Sequence, residues 1–467
     1  MSHDPGLGRI HFIGVGGAGV SGLARLYHDL GATVSGSDQA DSPLLDALAA
    51  AGLRVWAGHD AARMNLAGRP DTVVYSSAVP PDDIELAAAR AGGARLWRRA
   101  TALARLAKGR RTVAVAGSHG KTTTTAMVVA ALTAAGRDPG FVIGATLASD
   151  GRGAAWGRDR EFVIEADESD GSFLEYPAEI AVITTIDADH LDHWGTVEAY
   201  RAGFESFATG PAVRLVVAGA DDPGAAWLAD RLRAQGRPVV TYGQAPGADW
   251  RLSRPSLDGL RPSAQLTTAD WSGRLQLAVP GIHNLANAAA AVAVGAALGA
   301  DPAALTAGLA DFPGTERRFQ PRGQAGGVTV FDDYAHHPTE LRATLAAART
   351  VTRGRVVVAF QPHLFSRTRD FADGFGAALA QADQVVVSDV YPAREQPLPG
   401  VSGALVAQAV ADHGGQVVYV ERLGDLALAL AGLARPGDLV LLAGAGSITT
   451  VADDLLARLA AGRPEAL

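Results

Sequence analysis

The 467-residue sequence has no cysteine. That excludes a disulfide scaffold, Cys-ligated zinc, an iron–sulfur cluster and a cysteine nucleophile. Lysine is scarce: of 41 basic residues only Lys108 and Lys121 are lysine, the others being arginine. A solvated surface tolerates either residue, so a retained lysine raises the question of what arginine could not do there. No apolar run reaches the roughly 18 residues of a membrane span; the longest, Ala288 to Ala300, reads as a small-residue helix. The opening MSHDPGLGRIHFIG lacks a basic segment followed by an apolar one, so no secretory signal is expected. The expectation is a cytoplasmic protein without membrane association. A net charge of −8, with no Lys/Arg block, argues against nucleic acid as the main partner.

What the sequence does contain is an alternation of short β-branched runs with Ala/Leu-rich helical stretches, the pattern of parallel α/β sheets. RIHFIGV, a glycine turn, the helix VSGLARLYHDLG and the strands ATVSGSD and TVVYSSAV predict a small Rossmann-like domain over residues 1–100. A central domain over 101–312 opens with the buried strand RTVAVAG and continues through REFVIEAD and EIAVITTID. Its Gly/Pro/Ser/Asp-rich stretch 243–280 reads as an antiparallel edge. DFPGTERRFQ reads as a linker into a third domain, 313–467, with strands VTVFDDYA, GRVVVAFQ, QVVVSDV, QVVYV and DLVLLAGAG. The fold class is therefore α/β in three domains: two Rossmann-like ones flanking a P-loop ATPase-type domain with a mainly parallel sheet.

Gly117-Ser118-His119-Gly120-Lys121-Thr122 lies between a buried strand and a helix. Backbone N–H groups of such a turn converge on a phosphate, Lys121 reaches terminal phosphates, and the Thr122 hydroxyl can ligate Mg²⁺. Val115 replaces the first glycine of the full G-x-x-x-x-G-K-[ST] pattern, yet one of only two lysines occupies the required position. A compact ammonium threads between loop and phosphates where a broad guanidinium cannot. Two carboxylate clusters close the following strands: Glu165, Asp167, Glu168 and Asp170, then Asp187, Asp189, His190, Asp192 and His193. Beside a P-loop they suggest a site for more than one divalent cation, the competing reading being solvated acidic loops. Gly14, Gly16 and Gly19 form G-x-G-x-x-G with Asp38 at the next strand end, equally suited to a dinucleotide or another nucleotide diphosphate. FDDYAHHP (331–338) and FQPHLFSRTR (360–369) bring paired acids and histidines opposite arginines, suited to a zwitterion or anion, or to local salt bridges.

Together, GVGGAGVSGLA, AGSHGKTTTT, EADESDGSF, DADHLDHWG, GIHNLANAAAA, FPGTERRF, DDYAHHP, FQPHLFSRT and GAGSI occur in the order of the Mur ligases, which the chain resembles over nearly its whole length. The resemblance implies an ATP- and Mg²⁺-dependent ligase of peptidoglycan precursor synthesis. It is strongest to the members that join L-alanine to the carboxylate of UDP-N-acetylmuramate through an acyl phosphate, with ADP and phosphate released. Gly117, Ser118, His119, Gly120, Lys121, Thr122 and Thr123 would then hold the ATP phosphates. Asn284 and Asn287 would face adenine, with Arg318 and Asp333 as further nucleotide contacts. Thr122, Glu165 and His190 would coordinate metal. Gly14, Gly16, Gly19, Ser37, Asp38 and Ser76 would hold the UDP moiety, and Tyr334, His337, His363 and Arg367 would lie where amino acid and carboxylate meet. Lys121, Glu165, His190, His337, His363 and Arg367 form the implied catalytic set. Whether His336 or His337 faces the substrate stays open, as does whether a histidine or water removes the amine proton. No lysine follows Lys121, which disfavours siblings that use a carbamylated lysine there. The alternatives are a ligase recycling a preformed tripeptide onto the same UDP-sugar and an NAD-dependent oxidoreductase. A monomer or homodimer is expected.

Overall fold

Ile10, Phe12 and Ile13 favour extended backbone and bury both faces of the strand Arg9–Ile13, which takes the centre of a parallel sheet. In this computed structural model the sheet order is Arg54–Ala57, Thr33–Asp38, Arg9–Ile13, Thr72–Tyr75, Arg95–Arg98. The structure describes residues 7–66, 68–76, 78–393 and 395–462, without the side chains of Ala18 and Asp192. The opening MSHDPG and Ser77 lie outside it. Consecutive strands diverge on either side of Arg9–Ile13, so its carboxyl end is a topological switch point, the place where open α/β sheets bind ligands.

The described residues divide into two compact units, those up to 253 with 265–273 and 286–309, and those at 254–264 with 274–285 and from 310 onward. The first holds the five-stranded sheet and a second parallel series: Val239–Gly243, Leu215–Gly219, Ile180–Ile183, Arg111–Ala116, Glu161–Glu165 and Gly140–Val142. Ala154–Ala155 adds an antiparallel edge. The helix Lys121–Ala134 is buried over most of its length, in keeping with the apolar run AMVVAAL that follows its threonines. The stretch read as an antiparallel edge holds three strands, Trp250–Ser256, Ser263–Thr267 and Ser272–Gln276. The first joins Val239–Gly243 in parallel, Tyr242 opposite Trp250.

The sheet of the second unit runs Gln320–Ala325, Val328–Asp333, Leu439–Ala443, Val356–Phe360, Gln384–Ser388, Val417–Val420, parallel except for its first hairpin. Leu341, Leu345, Phe375 and Leu379 cover one face; Leu426, Leu430, Val451 and Leu455 cover the other. Successive residues of Val356–Phe360 alternate between these two cores, so all five are buried. Among the described residues no helix is long and apolar enough to cross a membrane.

Candidate functional site

The strand Arg111–Ala116 ends at Gly117, where the chain turns into the helix Lys121–Ala134. Gly117 has φ 140°, and a Cβ there would stand 1.9 Å from Thr184 Oγ1. The turn therefore lies directly on the chain leaving the adjacent strand. The Ser118 and His119 N–H groups donate to Thr185 O at 2.9 Å and Thr185 Oγ1 at 3.0 Å. Ser118 Oγ donates to Asp187 O at 2.7 Å and lies 2.8 Å from the Tyr200 hydroxyl, so this side chain braces the loop. His119 Nε2 is 3.1 Å from Asp187 Oδ2. Gly120, at φ 80°, precedes the helix, and a Cβ on it would be 2.9 Å from Asn287 Oδ1. Thr123 is buried in the first turn.

Lys121 Nζ donates to Gly117 O at 2.8 Å and pairs with Glu168 Oε2 at 2.8 Å. Burial alone would lower the ammonium pKa, but Glu168, Asp167 and Glu165 outweigh it and hold Lys121 above its ordinary value. Burial and Asp167 push the Glu168 carboxyl up to about 7 against the pull of Lys121. Asp167 shifts the other way: burial would raise it, but Lys121, the Ser169 N–H, Arg99 and His190 keep it below the usual range.

Thr122 Oγ1 donates to Glu165 Oε1 at 2.8 Å, and the Gly144 N–H donates to Glu165 Oε2 at 2.7 Å. His190, in left-handed backbone at φ 53°, brings Nε2 to 3.8 Å from Glu168 Oε1. The hydroxyl of Thr122 and the carboxylates of Glu165 and Glu168 are hard oxygen donors of the kind Mg²⁺ takes. Asp170 instead accepts from the Ser172 N–H at 3.0 Å. Just beyond, Phe173 is fully buried against Phe207 at 5.0 Å and Phe204 at 5.4 Å, anchoring the acidic loop. Phe173→Ala is expected to cost about 3–5 kcal/mol, read from the urea midpoint; a loss under about 1 kcal/mol would show that the loop is anchored elsewhere.

At the switch point of the five-stranded sheet the Gly14 and Val15 N–H groups donate to Ser37 O at 2.8 and 3.0 Å, and Gly16 N donates to Asp38 Oδ2 at 2.7 Å. A Cβ on Gly14 would lie 3.7 Å from Ser76 Oγ, so Gly14, Gly16, Asp38 and Ser76 converge. Ser37 differs: it is fully buried, its hydroxyl donates to Glu85, and only its backbone supports the turn.

In the second unit, Asp333 accepts from the Phe319 and Ala335 N–H groups, each at 2.8 Å. Its carboxyl is pushed up to about 6 by burial, against the pull of Arg318. The Arg317 and Arg318 guanidinium groups lie 4.9 and 5.2 Å from the Tyr334 ring centroid. His336 meets Tyr334 edge-on at 5.3 Å and His363 at 6.2 Å, and His363 stacks on Tyr391. His337 accepts from the Thr339 N–H at 3.3 Å, capping the helix Pro338–Val351, and packs on Phe371. Arg367 is buried near the start of the helix Phe365–Leu379. Asn284 Nδ2 donates to Pro280 O at 2.7 Å. Sequence reasoning did not single out Thr184, Thr185 or Tyr200, because hydroxyl residues brought in from other strands leave no local signal.

Three α/β sheets in chain order, the middle one carrying a glycine turn with a lysine set against acidic strand ends, define a P-loop-type α/β protein. Family models match in sequence order: the Mur ligase family catalytic domain over residues 9–111, the middle domain over 115–295 and the glutamate ligase domain over 317–446. The chain belongs to the Mur ligase family. The UDP-N-acetylmuramate–L-alanine ligase of Cutibacterium acnes is 55% identical over 460 residues, 98% of this chain and 97% of that one. The ligase of the same name from Kineococcus radiotolerans is 52% identical over 97% of both. The UDP-N-acetylmuramate–alanine ligase MurC of Thermotoga maritima superposes with a TM-score of 0.81 at 29% identity, over 97% of this chain and all of that one. A MurF ligase of Thermotoga maritima solved with ADP shares the fold, with a TM-score of 0.61 at 19% identity over 86% and 91% of the two chains.

Proposed function

We propose that this chain is a cytoplasmic ATP-dependent ligase that joins the carboxylate of UDP-N-acetylmuramate to the amino group of L-alanine in peptidoglycan precursor synthesis. The observation that carries the reaction class is the buried Lys121–Glu168 pair in the glycine turn, beside Thr122 and Glu165. Near-full-length relatives of that name support the substrates. The proposed domain division is 1–100 for the UDP-sugar, 101–312 for ATP and 313–467 for the amino acid. Thr122, Glu165 and His190 would hold Mg²⁺, which when bound supplies positive charge against the nucleotide phosphates.

In this reading the 117–123 turn, through the N–H groups that open the helix Lys121–Ala134, and Lys121 hold the terminal phosphates and screen the approach of the anionic sugar carboxylate. That carboxylate oxygen takes the γ-phosphoryl group, ADP leaves, and the neutral amine of alanine then displaces phosphate as the amide forms. Asp38, Ser76 and the turn at Gly14, Gly16 and Gly19 hold the UDP moiety. Asn284, Asn287, Arg318 and Asp333 hold the rest of the ATP. Tyr334, His363 and Arg367 orient the amino acid and carboxylate, and the histidine grouped with Tyr334 and His363 is His336. His337, whose Nδ1 caps the adjoining helix, belongs to the same proposed set.

The test is phosphate release with ATP, Mg²⁺ and UDP-N-acetylmuramate, comparing L-alanine, glycine, L-serine and a tripeptide. Release is expected with L-alanine. Release with the tripeptide alone would favour the recycling reaction, and none with any acceptor would overturn the ligase reading.

A further inference from the structure

The residues already described leave unexplained a cation at the amino end of the helix Ala18–Asp29. A Cβ on Gly19, in the first turn, would stand 2.7 Å from Arg99 Nη1 and 3.6 Å from Cζ, so the guanidinium lies directly on that turn. Gly17 caps the helix without a side-chain hydrogen bond; its carbonyl accepts from the Val20 and Ser21 N–H groups, and a helix start leaves the N–H groups before them without an intrahelical acceptor. Among the described residues, the Arg99 side chain makes no hydrogen bond or ion pair within 4 Å. A guanidinium beside the positive end of a helix brings together two features that each favour an anion.

A second observation points the same way. The Tyr176 hydroxyl is buried and has no hydrogen-bond partner among the described residues, although the residue is only 6% exposed. Burial pushes its pKa up to about 12, so at neutral pH it is an unused donor. Tyr176 follows the short helix Ser172–Glu175, which is tied to the helix Arg99–Ala107 by Thr101 Oγ1 donating to Glu175 Oε2 at 2.6 Å. Burial would lower the Arg99 pKa, but Tyr176, Asp167, Asp170 and Glu165 act more strongly and keep it charged. Arg99 thus stands between the glycine turn and the acidic loop that faces Lys121.

We propose that Arg99 and Tyr176 are further substrate-binding residues that, with the first turn at Gly19, hold the diphosphate of the UDP-sugar. The proposal rests on the ligase reading for the identity of that substrate. A guanidinium presents a planar fork of donors that matches two phosphate oxygens, the Tyr176 hydroxyl and helix N–H groups add donors, and a diphosphate has enough unesterified oxygens for all of them. Arg99 also screens the substrate phosphates from Asp167 and Asp170, which would otherwise repel them.

The experiment measures Kd for UDP, UDP-N-acetylglucosamine and uridine, together with KM for UDP-N-acetylmuramate and ATP, in wild type, Arg99→Ala, Arg99→Lys and Tyr176→Phe. UDP-N-acetylglucosamine carries the diphosphate without the lactyl carboxylate. Arg99→Ala is expected to weaken UDP and UDP-N-acetylglucosamine and to raise KM for UDP-N-acetylmuramate by about tenfold to a hundredfold. Uridine binding and KM for ATP stay unchanged, and Arg99→Lys is intermediate. Tyr176→Phe keeps the packed ring, so folding is preserved, and weakens UDP by about threefold to tenfold. Unchanged UDP binding in both Arg99→Ala and Tyr176→Phe would overturn the proposal. So would an equal loss for uridine, or a loss confined to UDP-N-acetylmuramate, which would assign Arg99 to the carboxylate. UDP binding is read without turnover, so absence of ligation in wild type would sink the ligase reading while leaving the diphosphate assignment measurable.

Discussion

Lys121→Ala is expected to lower the rate of ATP-dependent phosphate release by about a hundredfold to a thousandfold or more, the scale for losing one preorganised charge-stabilising donor. The ammonium is held by Gly117 O and Glu168 at 2.8 Å each, so it is positioned before any nucleotide arrives. Removing it leaves Glu168, which is fully buried, without its countercharge. A buried carboxylate left unpaired costs about 3–5 kcal/mol if it stays ionised. Glu168, already pushed up to about 7, escapes by holding a proton. Its folded pKa then lies well above its unfolded one, so between the two the folded state keeps a proton that the unfolded state has lost. Stability of the variant is therefore expected to fall as pH rises through that window, and its melting temperature should drop relative to wild type between about pH 6 and about pH 8.5. Lys121→Arg should restore the pH profile, since the charge returns, but not turnover, because a guanidinium is too broad for the turn. Near-normal phosphate release in Lys121→Ala would overturn the phosphate role.

Gly117→Ala is expected to reduce turnover by about a hundredfold or more, the effect of displacing a reactive group by about 1 Å. The added methyl would meet Thr184 Oγ1 at 1.9 Å and the backbone nitrogens of Thr185 and Thr184 at 2.9 and 3.0 Å. Thr184 Oγ1 donates to His119 O at 2.6 Å, so moving it disturbs the same loop that the methyl invades. The backbone at φ 140° adds strain for any side chain. The double variant Gly117→Ala with Thr184→Ala removes the hydroxyl clash and leaves the backbone ones, so only part of the activity should return. Wild-type turnover in the single variant would show that the loop has room its geometry denies.

The prominence of Lys121 was legible because lysine is so rare in this chain, and the same composition hid Arg99 among its arginines. Within EADESD the residues alone could not rank the carboxylates, since Glu168 and Asp170 are equally plausible as solvated acids. The fold separates them, turning Glu168 inward to Lys121 while Asp170 accepts from Ser172. Ser37 looked like Asp38 until the alternation of its strand turned its hydroxyl toward Glu85 and the core. His336 and His337 are neighbours in sequence, but the second caps a helix and the first meets Tyr334 and His363.

By itself the sequence determined the alternation of strands and helices, both glycine turns, the single lysine in the second of them, and the absence of cysteine and of any later lysine. Those are local or compositional facts, set by which backbone angles and side chains a short segment supports. Only the tertiary structure decided that Thr122 meets Glu165, that Glu168 meets Lys121 and that Arg99 lies on Gly19. Such contacts depend on strand order and register, with Val115 opposite Glu165 and Ala116 opposite Ile183. Register is settled by how the two faces of a sheet bury their side chains, a property of the whole assembly of segments rather than of any one of them.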